Sequence, residues 1–426
     1  MNHFELREGR LHVEDLPLEV IARAVGTPVY VYASATLARH YTVFREALDA
    51  QPVLKGALIA YAVKANSSLS VLATLARLGA GADTVSEGEI RRALAAGVPA
   101  DKIVFSGVGK TAREIAFALQ AGVRQINVES EPELALITQI AAEAGIRPSL
   151  AIRVNPDIGA GGHAKITTGA AASKFGVSLA EAERLYALAA ASPYLRIQGL
   201  TCHIGSQITD LTPLAGAYDR LRGLTLRLRA AGLRVDRLDL GGGLGVPYFN
   251  SGDPPSPAAL AAVAAQAVEG LEVETEFEPG RVIAANAGVL VAEVLHIHAR
   301  PDGRRFLVLD GAMNDLLRPA LYDSFHDIRP LTPRPGPLQD YDVVGPVCET
   351  GDTFARGRSL APLEAGDLVA FMTAGAYGAV MASEYNSRPL VPEVLVSGRE
   401  WAVTRPRPTY EEMLARDKMA PWLEGL

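Results

Sequence analysis

The stretch LIAYAVKANSSLSVLATLARLGAGADTVSEGEIRRALAAGVPADKIVFSG, residues 58–107, decides the fold. It alternates short apolar or β-branched runs with longer Ala/Leu-rich segments of helical spacing, and the helical segments run into glycine, the residue that most easily ends a helix. That is the rhythm of strand, helix and parallel strand. Followed outward, it predicts eight strands: 58–65, 81–86, 102–107, 125–130 (QINVES), 149–155 (SLAIRVN), 197–204 (IQGLTCHI), 237–243 (RLDLGGG) and 273–279 (VETEFEP). Eight such units fit a (β/α)8 TIM barrel, a fold of roughly 250 residues. A doubly wound open sheet would show a similar rhythm. From residue 282 the texture changes: VLVAEVLHIHA, RFLVLDG, DLVAFMTAG and PEVLVSG read as strands separated by Pro- and Gly-rich turns, which predicts a second, mainly β domain of sandwich or barrel type. The early strand PVYVY suits either domain.

A chain of 426 residues has room for two or three domains. Hydrophobic residues at 49% and charged residues at 21% exclude disorder over most of it. Lys+Arg 41 against Asp+Glu 48 leaves −7 with no run of like charge, so neither a nucleic-acid surface nor a basic membrane anchor is expected. Two cysteines, Cys202 and Cys348, are too few for a disulfide framework, and the start MNHFELREGR lacks the apolar run of a secretory signal. No stretch is long and apolar enough to span a bilayer. The expectation is a soluble, cytoplasmic protein. There are seven lysines: Lys55, Lys64, Lys102, Lys110, Lys165, Lys174 and Lys418. Chemistry that needs an amine has few candidates.

In a barrel, functional groups sit where strands end. Lys64, in YAVKAN, ends the first strand and suits Schiff-base chemistry, or else carries its ammonium outward to solvent. CHIGSQ ends the sixth: His203 can stack on an aromatic ring and Ser206 can hydrogen-bond phosphate, while a satisfied core histidine is the plainer alternative. GGGLG (241–245) ends the seventh and reads as a phosphate cradle or a tight structural turn; its spacing does not match a dinucleotide fingerprint. EPGR ends the eighth, where Glu278 could meet a protonated pyridine nitrogen and Arg281 a carboxylate or phosphate. An amine, a stacking group, a phosphate cradle and an acid on one barrel face meet the needs of pyridoxal phosphate.

With these motifs, and with LHVEDL, SKFGV, MNDLLRPALY, GPVCETGD, GAYG and YNSRP, the sequence closely resembles the fold-type III pyridoxal-phosphate decarboxylases over nearly its whole length. The resemblance implies a barrel over 34–281, a β domain built from 1–33 and 282–426, and a head-to-tail homodimer with shared active sites. It implies Lys64 as the cofactor's covalent anchor and His203 at its ring. It places Ser206, Gly241, Gly242, Gly243 and the backbone of Gly280 and Arg281 at the phosphate, with Glu278 at the pyridine nitrogen beside Pro279. Arg281, Arg318 and Tyr322 become contacts to a substrate carboxylate, Glu349 a contact to the substrate's far end, and Tyr377 a contact to both cofactor and substrate. Cys348 becomes the proton donor, supplied with Glu349 by the second subunit; read on its own it could be a small buried hydrophobe.

An acid at the pyridine nitrogen makes a strong electron sink, which favours decarboxylation over racemisation; alanine racemases of this architecture place an arginine there. The run CETGD differs from the CDGLD-like motif of ornithine and arginine decarboxylases. With Arg281, Arg318 and Tyr322 it suits a substrate bearing an amino acid function at both ends, so the expected reaction takes meso-2,6-diaminopimelate to L-lysine and CO2. The rivals are a decarboxylase of ornithine, arginine or carboxynorspermidine, and a catalytically silent homologue, against which Lys64 and Cys348 both stand. DGAMNDL (310–316) departs from the expected DAGMNDL by a swap at a turn. HAKITTG (163–169) reads as a loop beside the active site, with the Gly-rich lead-in GAGGH. His296 and His298 share one face of a strand; a solvated or interfacial face is the expected use, and no metal is expected. Cys202, next to His203, is expected by strand alternation to face away from it.

Overall fold

The computed structural model describes residues 2–159, 168–169, 173–248 and 253–423. Its contacts divide the chain into two units, Thr36–Asn286 and the combination of Met1–Ala35 with Ala287–Leu426.

In the unit Thr36–Asn286, the strands Leu58–Ala62, Gly81–Thr84, Ile103–Phe105, Gln125–Val128, Ser149–Arg153, Arg196–Thr201, Arg237–Asp239 and Glu274–Phe277 form a closed barrel. Every neighbouring pair is parallel, and the eighth strand closes on the first through Glu276 opposite Leu58 and Phe277 opposite Ile59. Closure rules out the open sheet. The strands are buried almost throughout, which favours apolar side chains in them, while a few buried polar groups such as Asp83, Asn127 and Asp239 stand near their ends. Local chemistry sets the helices between them. Ser86, Ser130, Ser178 and Ser256 cap helix starts by accepting the N–H three residues on, and Thr111 with Glu114 forms a capping box. Gly122 and Gly145 end their helices in the left-handed conformation.

Several strands stop short of the boundaries read from the sequence. The first ends at Ala62, and Val63–Ala65 winds into a 3-10 turn. The sixth ends at Thr201, so Cys202 and His203 belong to the following loop. The seventh ends at Asp239, two residues before Gly241 turns the chain at φ 65°. Strand alternation therefore does not set the direction of Cys202. Its N–H donates to the Asp239 carbonyl at 3.1 Å and the loop seals its side chain from solvent.

In the other unit, Val29–Ala33 lies inside a large sheet, antiparallel to Gly288–Ala299 and parallel to Glu393–Ser397. The 12-residue strand Gly288–Ala299 also pairs with Leu368–Phe371 and Arg305–Leu309. Val29, Val31, Val289, Val291, Val394 and Val396 pack with Leu18 and Ile21 in one core. Each fully buried valine of this kind contributes about 1.5–3 kcal/mol relative to exposure. Tyr30 and Tyr32 alternate to the opposite face and are buried, so their hydroxyls need acceptors: the Asp315 carbonyl at 2.6 Å and Glu393 Oε2 at 2.8 Å. His296 and His298 are exposed near the end of the long strand, with His298 stacked on Phe306. Among the described residues no group of three metal-ligating side chains occurs, and no helix is long and apolar enough to cross a membrane.

Candidate active site

The barrel strands deliver their C-terminal ends to one cavity of about 340 Å3, within the range of small-ligand sites. Lys64, Asn127, Arg153, Thr201, His203 and Glu278 line it. Three of the groups singled out in the sequence, Lys64, His203 and Glu278, thus share one space.

Lys64 rides on the 3-10 turn after the first strand. That turn sits against Gly280, where a Cβ would come within 3.0 Å of Ala62 and Ala65, so glycine lets the EPGR segment lie close beside the lysine. Lys64 Nζ donates to Asp83 Oδ2 at 2.5 Å, and Asp83, from the second strand, is fully buried with Oδ1 lacking a partner among the described residues. Glu278 follows the eighth strand, and its Oε1 is likewise buried without a partner. Burial, with Asp239 and Asp83 adding negative charge, pushes the Glu278 carboxyl well above the usual range. Burial and Glu276 push its neighbour Asp239 up to about 6. These carboxyls hold protons at neutral pH more readily than free ones.

His203 accepts the Gly242 N–H at Nδ1, at 3.1 Å, so its own proton sits on Nε2. Burial, together with the charges of Lys64 and Arg153, holds the ring neutral. The glycines after the seventh strand serve close backbone approach first. A Cβ would sit 2.3 Å from the Cys202 carbonyl at Gly241, 2.1 Å from the Glu278 carbonyl at Gly242 and 2.3 Å from the Gly205 carbonyl at Gly243. The Gly241 N–H donates to Asp239 Oδ1 and the Gly242 N–H to His203. Among the described residues no acceptor takes the Gly243 N–H, so of the three it is the donor left for a ligand. Ser206 Oγ accepts from Arg281 Nη2 at 2.9 Å, and Arg281 Nη1 donates to the Tyr248 hydroxyl at 2.7 Å. Pro279 takes the Ala62 N–H on its carbonyl. Most of the 163–169 loop lies outside the described residues; Thr168 bonds the His203 carbonyl through its hydroxyl at 2.7 Å.

The remaining predicted residues lie in the β-rich unit. Arg318, on the short helix Arg318–Tyr322, is buried with Nη1 3.1 Å from His326 Nε2. Tyr377 holds a left-handed backbone, φ 57°. Cys348 is exposed, its N–H donating to Asn386 Oδ1 at 3.1 Å, and Glu349 Oε2 accepts from the Tyr385 hydroxyl at 3.0 Å. Asp352 anchors this turn by accepting the N–H groups of Val347 and Met313, both at 2.7 Å.

Sequence reading passed over Asp83, Arg153 and Asp239. All three stand at or next to the last position of a barrel strand, the signal that would have found them.

Glu89 gives a pH-dependent prediction. Burial, reinforced by Asp83 and opposed by the Val85 N–H and Lys64, raises its carboxyl to about 7. A folded-state value above the unfolded one means ionisation opposes folding: there is no penalty below about pH 4.5, a growing one as pH rises to 7, and a full one above. Glu89→Gln is therefore expected to stabilise the protein at pH 8 by up to about 3 kcal/mol and to leave it unchanged at pH 4, as read by denaturant melts at the two pH values.

The family described as pyridoxal-dependent decarboxylase, pyridoxal binding domain, matches residues 35–285. Diaminopimelate decarboxylase of Zymomonas mobilis is 48% identical over 99% of each chain, and that of Vibrio cholerae 47% identical over 99% of this chain and 100% of its own. Among solved structures, diaminopimelate decarboxylase from Helicobacter pylori complexed with L-lysine superposes with a TM-score of 0.89 at 40% identity, covering 94% of this chain and 98% of its own. The enzyme from M. jannaschi superposes at 0.94 with 35% identity over 99% of each chain. A lysine/ornithine decarboxylase from Vibrio vulnificus is more distant, at 0.78 and 25%, covering 89% of this chain and 97% of its own.

Proposed function

This chain belongs to the pyridoxal-dependent decarboxylase family, and we propose that it removes one carboxyl group from meso-2,6-diaminopimelate to give L-lysine and CO2, with pyridoxal phosphate as cofactor. The observation that carries the reading is the barrel-end cavity itself, which holds a lysine amine, a neutral imidazole and a buried acid with one oxygen that has no partner among the described residues. That donor set fits the cofactor: Lys64 for its aldehyde carbon, Glu278 for its ring nitrogen, His203 for its ring, and Ser206, the Gly243 N–H and the Gly280–Arg281 segment for its phosphate.

When bound, the cofactor supplies the electron sink that receives the electron pair of the breaking carbon–carboxylate bond. The chain's residues do the rest. Lys64 would hold the cofactor through its amine, with Nζ fixed in place by the buried carboxylate of Asp83. Glu278 would keep a proton at the ring nitrogen, because its buried carboxyl ionises reluctantly unless a cation faces it, so that carboxylate and protonated ring nitrogen stabilise each other. His203, neutral and fixed in one tautomer by Gly242, offers a ring face without adding a competing charge. Arg281, Arg318 and Tyr322 bind substrate carboxylate, Glu349 the far amino group, and Tyr377 touches both ligands. Cys348 delivers a proton to the carbon that has lost CO2. We propose that Cys348 and Glu349 act on the barrel of a second copy of the chain, in a head-to-tail homodimer.

Incubation with meso-diaminopimelate and, separately, with ornithine tests the substrate. Lysine and CO2 are expected from the first, with kcat/KM at least about 100-fold above that for putrescine formation from the second, because a site built to pair a second carboxylate leaves charged groups unpaired against ornithine. Equal turnover of both would overturn the assignment.

A further inference from the structure

A second buried ion pair stands beside the cavity and has no part in the reaction described above. Arg153, the last residue of the fifth barrel strand, lines the cavity with Lys64 and His203. It donates from Nη1 to Glu129 Oε1 at 2.8 Å, with the two side chains only 9% and 1% exposed, and its guanidinium lies 4.8 Å from the Phe175 ring centroid. Glu129 also accepts the Gly107 N–H on Oε1 at 2.9 Å and the Gly176 N–H on Oε2 at 3.1 Å. One carboxylate thus ties the loops that follow the third, fourth and fifth strands. Gly176 is left-handed, φ 67°, and a Cβ there would stand 2.9 Å from the Arg153 carbonyl, so this segment closes directly on the strand end. Behind it, Glu133 accepts the Glu129 N–H at 2.6 Å and the Lys110 ammonium at 2.6 Å. Lys110 in turn donates to the carbonyls of Gly107 and Asn127, both at 2.7 Å.

A buried pair of this kind is a poor source of stability, because desolvation of the two charges consumes most of their attraction. Its geometry serves placement. We propose that Glu129 is a positioning residue for the cofactor, holding Arg153 at a fixed point of the cavity and offsetting its charge so that the pair sets the potential at Lys64. The inference rests on pyridoxal phosphate occupying this cavity. Among the described residues the other charged or titratable groups around Lys64 are Asp83 from the second strand, Glu89 from the helix after it, Lys174 from the segment after the fifth strand, His203 after the sixth and Glu278 after the eighth, with Asp239 at the end of the seventh beside Glu278 and Asp83.

The test is a pH titration of the visible absorption of the cofactor bound to the holoenzyme. The Lys64–cofactor linkage is cationic when protonated, so deleting a nearby negative charge lowers its midpoint and deleting a positive one raises it. Glu129→Gln keeps size and shape and is expected to lower the midpoint by about one pH unit. Arg153→Gln is expected to raise it by a similar amount, and the double variant to return near wild type. Should Glu129→Gln fail to fold, Arg153→Gln against Arg153→Lys carries the test, the first shifted upward and the second close to wild type. A midpoint that ignores both substitutions, even with melting temperatures lowered, overturns the inference alone. A wild-type protein that shows no visible band with pyridoxal phosphate overturns the cofactor reading and this inference with it.

Discussion

Lys64→Ala is expected to lose at least about 1,000-fold in turnover and to carry no cofactor label after borohydride reduction, while wild type is labelled on the peptide that contains YAVKAN. The described lysines other than Lys64, among the seven in the chain, are set apart from this role by their surroundings. Lys110 is buried with its ammonium committed to three acceptors, so none of its protons is available for exchange with a ligand. Burial also pushes its ammonium below the usual lysine range, with Glu133 pulling in the opposite direction. Lys55 and Lys102 flank the opposite ends of barrel strands, Lys102 bonded to the Gly79 carbonyl at 3.2 Å. Lys418 follows the last α-helix of the β-rich unit, and Lys165, which lies outside the described residues, is tested by the peptide mapping below. Of the described lysines that leaves Lys174, which lines the same cavity with its ammonium 5.2 Å from the Phe175 ring centroid. Among the described residues no buried carboxylate fixes it, whereas Lys64 has Asp83. Peptide mapping of the reduced protein separates the two: Lys174→Ala keeps the label and Lys64→Ala loses it. A label that persists at residue 174 in the Lys64→Ala protein would transfer the anchor role to Lys174.

How much of this was legible beforehand depends on whether a residue's role is local. The barrel strands announce themselves, because both faces of each are buried and the sequence there is short, mostly apolar and set between helical stretches. Helix starts and stops announce themselves too, since Ser130 and Gly145 act within a few residues of where they stand. Lys64, His203 and Glu278 were found because such residues are conspicuous at the ends of apolar runs. Asp83, Arg153 and Asp239 were not, since each reads as one polar residue in a short strand. Asp83 matters only because barrel closure brings the second strand against the turn after the first, and Glu129 only because the fourth and fifth strands are neighbours. The glycines at 241–243 show the other limit: their spacing pointed to a phosphate, but the tight fit of the loops after the sixth, seventh and eighth strands explains each of them, and two of their three N–H groups already have partners.

Cys348→Ala is expected to lower kcat by about 100- to 1,000-fold, roughly 3–4 kcal/mol, with cofactor affinity unchanged, the range for removal of a positioned general acid. The two thiols differ in kind. Cys202 is 1% exposed, and burial with the nearby Asp239 charge pushes it up to about 12, so it neither reaches a ligand nor releases its proton near neutrality. Cys348 is exposed, on a turn whose backbone is pinned by Asp352 and Asn386, so its position is set while its sulfur stays accessible. Iodoacetamide should therefore inactivate the enzyme through residue 348 alone, and Cys202→Ala should keep kcat within about threefold while lowering stability, as a buried truncation does. If Cys348 serves the barrel of a second chain, inactive Lys64→Ala and inactive Cys348→Ala proteins will rescue each other on mixing. Random exchange makes half the dimers mixed, and each mixed dimer holds one site with both residues intact, so activity should recover to about one quarter of wild type. A mixture that stays inactive, although subunit exchange is verified by mass, would place Cys348 on its own chain's barrel or outside the reaction. Full turnover by Cys348→Ala alone would decide for the latter.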